Sequence, residues 1–500
     1  MTNFLWGSRA RYSYLFIAAL LLLFTLLGAR DIWTQEHRWA DIVSGMFYRH
    51  DFLHPYLGQN DYYDKPLLSY WLIACISKLS GQLTTFELRF PSALAGLIAI
   101  ASIYRLGTLL RDRTLGLLAG WLLVTTFYFI FWARTSSADM LNVAGSLLAI
   151  TWYFSKRDQP SFYNYFIFFV IIALTSLCKG LIGAVIPFMA VSVDMLLQGS
   201  LAKHLRFSTV AALFPALLIY MLPFLASSYF GGGSYQENGL YLVYRENILR
   251  YFHPFDHQGP IYTYFLYLPI YLMPWTLLFL PGIAYFIYQW RQLPAHSRWI
   301  LCTLGALFLF LTLSGSRRSY YVLPLVPFAI LLTADWLLSV CQDMKYAVWT
   351  KRFILSVFVL LFLSVDILPA WYYSQTGMER FATLVKNEAE KTQSWDKWNV
   401  VLLDAESKIN FYLQLSPAVA SYPLKGTYRE QQTSASLLEN WPIITKKPTN
   451  AIFITRKRYQ PLLQAYFTGY RVVEIPVKNY LPFVKKHDTN VPIAFIPILN

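Results

Sequence analysis

RDIWTQEHRWADIVSGMFYRHDFLHPYLGQNDYYDKPLLSYW, residues 30–71, directly follows the first strongly apolar run of the chain. A segment in that place emerges at a membrane surface. It carries the carboxylates Asp31, Glu36, Asp41, Asp51, Asp61 and Asp64, many aromatics, and a Lys65-Pro66 step. Trp39, Ile42, Val43, Met46 and Phe47 recur at i, i+3, i+4, i+7 and i+8. That spacing predicts an amphipathic helix, which beside a bilayer lies flat in the interface. Glu36 stands just before it, where a carboxylate can face water, substrate and membrane together. The plainer alternative is a solvated loop that joins two spans.

Outward from this stretch the chain is apolar. Of its 500 residues 56% are hydrophobic and only 14% are charged, with a mean hydropathy of +0.40. Soluble domains carry about a quarter of charged residues, so the deficit points to a polytopic membrane protein. The net charge of +15 sits largely in short loops between apolar runs, and no nucleic-acid motif accompanies it. Membrane orientation accounts for it. Cys75, Cys178, Cys302 and Cys341 mostly fall in or beside apolar runs without metal-ligand spacing, which reads as isolated thiols. The apolar segment from Tyr12 to about Ala29 is long for a signal core and lacks a clear cleavage site, so a retained anchor is expected.

A span needs about 20 mostly apolar residues. Eleven stretches qualify, near 12–29, 88–108, 115–133, 140–155, 162–178, 180–198, 207–229, 262–289, 299–314, 319–340 and 353–370. Residues 66–80 are a softer, membrane-dipping candidate. Arg9 and Arg11, Arg111 and Arg113, Lys156 and Arg157, Lys203 and Arg206, Arg291 and Arg298, and Lys345, Lys351 and Arg352 fall in alternate loops. The positive-inside rule makes those loops cytoplasmic and places 30–87, 230–261 and everything after Pro369 outside. The expected division is a membrane domain over 1–370, its first outer loop being 30–87, and a small α/β domain over 371–500. In the latter, β-like runs (Asn399–Leu403, Ala451–Thr455, Arg471–Val477, Ile493–Ile498) alternate with helical stretches such as Tyr459–Phe467. It shows no catalytic motif, and a lid, an acceptor-binding module and structural support remain alternatives for it.

Seven cations break the orientation rule by lying on the outer side: Lys65, Arg134, Lys179, Arg245, Arg250, Arg317 and Arg318. Lipid headgroup phosphates explain any one of them. Together they are better satisfied by a lipid-linked phosphate, Arg through forked hydrogen bonds and Lys as a point charge. Ser314-Gly315-Ser316-Arg317-Arg318-Ser319-Tyr320-Tyr321 packs small residues, cations and phenols into one turn, and Cys178-Lys179-Gly180 does so on a smaller scale. Asp139 is a second outer carboxylate, either a helix-start acid favoured by the macrodipole or a site residue. Two carboxylates beside a bank of cations suit transfer of a group from a phosphate carrier. His257, in His257-Gln258-Gly259-Pro260, has no second His at ligand spacing, so a metal site is unsupported.

These residues resemble a known family. Gln35-Glu36-His37-Arg38-Trp39-Ala40-Asp41 and Tyr63-Asp64-Lys65-Pro66-Leu67-Leu68-Ser69-Tyr70-Trp71 are similar to the protein mannosyltransferase-related GT-C glycosyltransferases, and among them to the bacterial lipid A aminoarabinose transferases. Arg134 through Asp139-Met140, Lys179-Gly180, Arg245-Glu246-Asn247, His257 to Pro260, Pro274-Trp275 and Arg317 to Pro324 continue the likeness in order. The resemblance implies a GT-C fold of about eleven membrane helices, a polyprenyl-phosphate-sugar donor, and transfer at the outer face of a bacterial cytoplasmic membrane. The acceptor it implies is lipid A, another glycan or a protein; membrane lipids are further expected partners, nucleic acid is not, and a monomer is expected. It names no cofactor with certainty and leaves a divalent metal open. The family opens its first loop with an acidic pair bearing the leading catalytic carboxylate. Here Gln35 replaces the first member, so either Glu36 or Asp31 takes that role. Asp139 matches the second acidic position and Lys65 the lysine on the donor phosphate. Arg245, Arg318 and Tyr321 are tied to the same phosphate. Arg317 and Lys179 are candidates beside them, and Arg38, Tyr63, Asp64 and His257 are candidate lining of the substrate pocket. A transporter of lipid-linked glycans is the rival class; it predicts mid-span charges and repeat symmetry, neither of which the sequence displays.

Overall fold

The computed structural model describes residues 12–33, 35–57, 60–62, 65–230, 241, 243–254, 257–340, 344–406, 408–415, 419, 421–422, 450–464, 466–475 and 490–498. Tyr63, Asp64, Cys341 and much of the 230–261 loop lie outside them. The chain divides into two compact units, one of residues 1–28, 52–55 and 62–367, the other of 29–51, 56–61 and 368–500. The chain thus passes between units more often than a single cut at 370 allows.

The first unit is helical. Among the described residues six helices are long and apolar enough to cross a membrane, or eight if each of two bent pairs is one span. Shorter apolar helices lie at Tyr12–Phe24, Leu68–Ser80 and Ile182–Leu197. Every one of the eleven apolar stretches falls on helix, and the chain is a multi-pass membrane protein. Phe214, Leu218, Leu222 and Tyr229, on the helix Leu213–Phe230, are more than half exposed, as lipid-facing side chains are.

Small residues let the helix backbones touch. A Cβ on Gly107 of the helix Thr85–Leu110 would stand 2.8 Å from the Gly116 Cα of the helix Arg113–Val124. A Cβ on Gly145, in the helix Ala138–Lys156, would collide with Thr175 of the helix Phe162–Lys179.

Two spans are broken. Arg113–Val124 and Phe127–Ala133 meet at 71°, and Thr263–Tyr271 and Thr276–Tyr288 at 118°. At the first break Thr125 Oγ1 donates to the Trp121 carbonyl at 2.6 Å and Thr126 Oγ1 to the Leu122 carbonyl at 2.8 Å. Hydroxyls thereby occupy acceptors that a continuing helix would use. The Phe127 N–H instead donates to the Met273 carbonyl at 3.1 Å, so the two breaks are hydrogen-bonded to each other.

The second unit is built on a mixed five-stranded sheet. Besides the short antiparallel pair β1 (Tyr56–Leu57) and β2 (Asn60–Asp61), it contains β3 (Asn399–Leu403), β4 (Ser421–Tyr422), β5 (Ala451–Arg456), β6 (Tyr470–Glu474) and β7 (Pro492–Pro497), in the order β4-β3-β5-β7-β6. β3 is parallel to both β4 and β5, whereas β7 is antiparallel to β5 and β6. Alternate side chains go to opposite faces. Leu402, Ile452, Ile454, Ala494 and Ile496 cluster with Phe381, Val385 and Ala389 of the helix Met378–Glu390. Leu403, Phe453, Ile493 and Phe495 cluster with Tyr459, Leu463 and Phe467.

The amphipathic helix read from the first loop is present as Glu36–Arg49, with Trp39, Ile42, Val43 and Met46 buried. The expectation that its apolar face lies on lipid is corrected, because that helix packs within its own unit on the helix Ile409–Leu413 and on β1. Long-range bonds fix the approach to it. The Ile32 N–H donates to Tyr412 Oη at 2.8 Å, and both carboxylate oxygens of Asp31 accept from the Met378 N–H, at 3.0 and 3.1 Å.

Candidate active site

The site in the first unit starts from two helix ends. Asp139 lies in the first turn of Ala138–Lys156, where Ser137 caps the helix by accepting the Asp139 N–H at 3.3 Å. Lys179 is the last residue of Phe162–Lys179. A carboxylate at a helix N-terminus and an ammonium at a C-terminus are each favoured by the macrodipole. Their side chains form an ion pair, each about 10% exposed. The Lys179 Nζ also stands 5.3 Å from the centre of the Tyr321 ring. Gly180 ends the helix at φ +105°, and a Cβ there would meet Asn247 Oδ1 at 2.5 Å. That oxygen accepts the Leu181 N–H at 2.7 Å, which fixes the chain leaving Lys179.

The turn 314–321 supplies the opposite wall. Arg317 N–H donates to the His257 carbonyl at 2.8 Å, and Gln258 pairs with Ser316 as an isolated bridge. Arg318 Nη2 donates to His257 Nδ1 at 2.7 Å. A guanidinium only donates, so Nδ1 carries the lone pair and the neutral ring holds its proton on Nε2. His257 adopts φ +55°, a left-handed conformation that costs roughly 1–2 kcal/mol and that these backbone bonds stabilise. Arg318 Nη1 donates to Tyr320 Oη at 3.2 Å. Tyr320 packs on Trp132 with ring centres 5.0 Å apart, and Trp132 Nε1 donates to Tyr271 Oη at 3.2 Å. Tyr320 also meets Tyr321, with ring centres 5.0 Å apart. Among the residues expected from the sequence to share a site, Asp139 pairs with Lys179, Lys179 stands against the Tyr321 ring, and Arg318 reaches Tyr320.

Other expected residues have different surroundings. Arg317 directs its guanidinium to the carbonyls of Thr312 (3.2 and 3.0 Å) and Gly259 (2.6 Å). This corrects its assignment to a donor phosphate: it holds the turn on which Arg318 stands. Arg134 likewise leaves the bank of phosphate-seeking cations. It donates to the carbonyls of Leu22, Thr25 and Leu26 at 2.9, 2.9 and 3.3 Å and pairs with buried Asp366 at 2.9 Å. Arg245 pairs with Glu246 at 3.1 Å, and the same carboxylate takes Arg250 at 2.6 Å. Asp31, offered as a substitute base, caps the helix Met378–Glu390 through the bonds given above. Glu36 is the first residue of its helix and is fully buried. Within the second unit its carboxylate accepts the Trp33 N–H at 2.7 Å and meets Arg30 at 3.4 Å. Arg38 belongs to the same helix. Tyr63 and Asp64 lie outside the described residues.

Sequence reasoning missed Tyr320, Trp132, Tyr271 and Asn247. The only available signals were the phenol pair beside Arg318 and the Asn two residues beyond Arg245. Among the described residues no three His, Cys, Asp or Glu side chains gather as a metal centre.

Residues 64–230 match the model of the dolichyl-phosphate-mannose-protein mannosyltransferase family. The chain is 26% identical over 358 residues to the undecaprenyl phosphate-alpha-4-amino-4-deoxy-L-arabinose arabinosyl transferase of Aeromonas salmonicida, a match covering 69% of this chain and 63% of that one. It is 26% identical over 373 residues to the enzyme of the same name from Shewanella sediminis, covering 72% and 65%. The matches thus span less than two thirds of these relatives. In fold, the chain is similar to the crystal structure of ArnT from Cupriavidus metallidurans bound to undecaprenyl phosphate, with a TM-score of 0.68 and 16% identity over 97% of this chain and 98% of that one. The Archaeoglobus fulgidus oligosaccharyltransferase is a more distant neighbour, with a TM-score of 0.53 and 13% identity over 92% and 73%. By sequence and fold together, the chain is similar to the dolichyl-phosphate-mannose-protein mannosyltransferase family over a third of its length and to the aminoarabinose transferases over about 70% of it.

Proposed function

We propose that the protein is an integral-membrane glycosyltransferase that moves one sugar from a polyprenyl-phosphate donor to lipid A or a similar cell-envelope acceptor. One observation supports this reading: Asp139 pairs with Lys179, which stands 5.3 Å from the centre of the Tyr321 ring, beside Arg318 on Tyr320. The acceptor oxygen attacks the anomeric carbon, the bond from that carbon to the phosphate oxygen breaks, and the configuration inverts. The electron pair leaves with polyprenyl phosphate, whose charge Lys65 and Arg318 stabilise, with Arg245 and Tyr321. Asp139 orients the acceptor and takes the proton of a hydroxyl. If the acceptor is a phosphate it is already ionised, and the acid only positions it. Glu36 is the second acid of this proposal. The finer topology belongs here too: eleven spans, cytoplasmic loops marked by the cation pairs, and residues 371–500 with the reacting groups on the periplasmic side of the cytoplasmic membrane.

The test supplies purified protein with radiolabelled polyprenyl-phosphate sugars and with lipid A, glycan or protein acceptors, comparing wild type with Glu36→Gln. Label moving to lipid A is the expected result. Label moving to protein would point instead to the acceptor class of the matched family model. Label staying on the carrier for every donor overturns transfer, and equal turnover by the variant removes Glu36 from the mechanism.

A further inference from the structure

A second convergence of cations lies in the sheet unit, among residues given no role in the sugar transfer described above. β3 has β4 on one side and β5 on the other, both parallel to it. The chain leaves β3 through the helix Ile409–Leu413 toward β4 on one side, and leaves β5 through Lys457–Tyr459 and Gln460–Gln464 toward β6 on the other. The connections therefore diverge at the carboxyl ends of β3 and β5. In open α/β sheets this switch in direction opens a crevice where ligands bind.

The residues at that edge are charged. Asp404 follows β3 in a left-handed conformation, φ +46°. Arg456 is the last residue of β5, and Lys457, Arg458 and Tyr459 form the next turn. Arg458 Nη2 bonds Asp404 Oδ2 at 2.6 Å, Tyr459 Oη donates to the same oxygen, and Arg456 Nη2 approaches Oδ1 at 3.9 Å. Two guanidinium groups thus face one carboxylate. Lys457 is drawn to Glu474 at 3.0 Å and does not alter that imbalance. The Nε atoms of both Arg456 and Arg458 are buried with no hydrogen-bond acceptor among the described residues. A buried unsatisfied donor costs about 1–3 kcal/mol, and its presence calls for a ligand. The side chains remain 27% and 24% exposed, open enough for a solute to reach them.

We propose that this crevice, formed by Arg456 and Arg458 and oriented by Asp404, binds a phosphate monoester. Forked N–H donors match phosphate oxygens in geometry as well as charge. In the transfer reaction the bound group is the acceptor's phosphate; that role rests on the reading above, whereas binding itself does not.

The experiment uses full-length protein in nanodiscs of zwitterionic lipid, in a Lys65→Ala background so that the donor site contributes little. Binding of inorganic phosphate and of glucosamine 1-phosphate is followed by calorimetry. Arg456→Ala and Arg458→Ala are each expected to weaken binding at least tenfold, and the corresponding Arg→Lys changes a few-fold, with unchanged unfolding temperatures. Competition by lipid A, but not by dephosphorylated lipid A, assigns the phosphate to a lipid headgroup; competition by neither assigns it to a soluble phosphate. Absence of binding, or equal binding by the Ala variants, overturns the site. Sugar transfer is measured separately on the Lys65-containing chain, so loss of the phosphate site and failure of the transferase reading give different results.

Discussion

Arg134 and Asp139 are five residues apart, yet the two ion pairs they enter behave as opposites. Arg134 meets Asp366 at 2.9 Å and three carbonyls of the first helix end, with both side chains deeply buried. Its donors are occupied by protein. Asp139 and Lys179 keep about a tenth of their side chains exposed, and the ammonium stands 5.3 Å from the centre of the Tyr321 ring. This second pair keeps part of its surface for a ligand, as the proposed reaction requires. A cation on the unexpected side of a membrane is therefore not by itself a phosphate ligand. What its donors already touch decides.

The comparison breaks most visibly on Arg134. Arg134→Ala leaves Asp366 buried without its counter-charge and is expected to destabilise the first unit by about 3–5 kcal/mol, read as lost folded protein in detergent. Asp139→Asn is expected to keep the fold and slow transfer roughly 100-fold, about 2.7 kcal/mol in the barrier. If both variants lose stability equally, with no separate loss of rate, the distinction fails.

Arg317 and Arg318 sharpen the same contrast between neighbours. Arg318→Ala is expected to raise the KM for the donor about tenfold, equivalent to about 1.4 kcal/mol. Arg317→Ala is expected to lower the unfolding temperature while leaving that KM within about twofold, since its removal strands the carbonyls of Thr312 and Gly259. The reverse pattern would return Arg317 to the phosphate.

The smallest effect is one of pH, in the second unit. Burial pushes the Asp41 carboxyl up to about 7. Its folded value exceeds the unfolded one, so its contribution to stability is fully present below about pH 4 and is lost as pH rises through 7. The unfolding temperature is expected to fall by a few degrees between pH 5 and pH 8, and Asp41→Asn to flatten that slope.

Much of this was legible in the sequence where the signal is local. Apolar length located the helices, and short β-like apolar runs located β3, β5, β6 and β7. Charges in an unfavourable place drew attention to Asp139 and Lys179, which form an ion pair, and to Arg318, which reaches Tyr320. What failed was everything fixed by distant partners. The carbonyl acceptors of Arg134 belong to residues 108 to 112 positions away. Nothing near Arg317 distinguishes it from Arg318. The helix Glu36–Arg49 has the pattern of a lipid-facing helix, because burial against protein and against lipid require the same apolar spacing.

The Asp31 cap has a consequence for timing. Its partner, the Met378 N–H, lies 347 residues further along the chain. At a ribosomal rate of 5–20 residues per second, roughly 20–70 s separate the synthesis of the two. Throughout that interval Trp39, Ile42 and Val43 have been made while the helix Ile409–Leu413 that will cover them has not. The nascent helix must wait under a chaperone or against the bilayer, and a stalled ribosome would leave its apolar stripe uncovered.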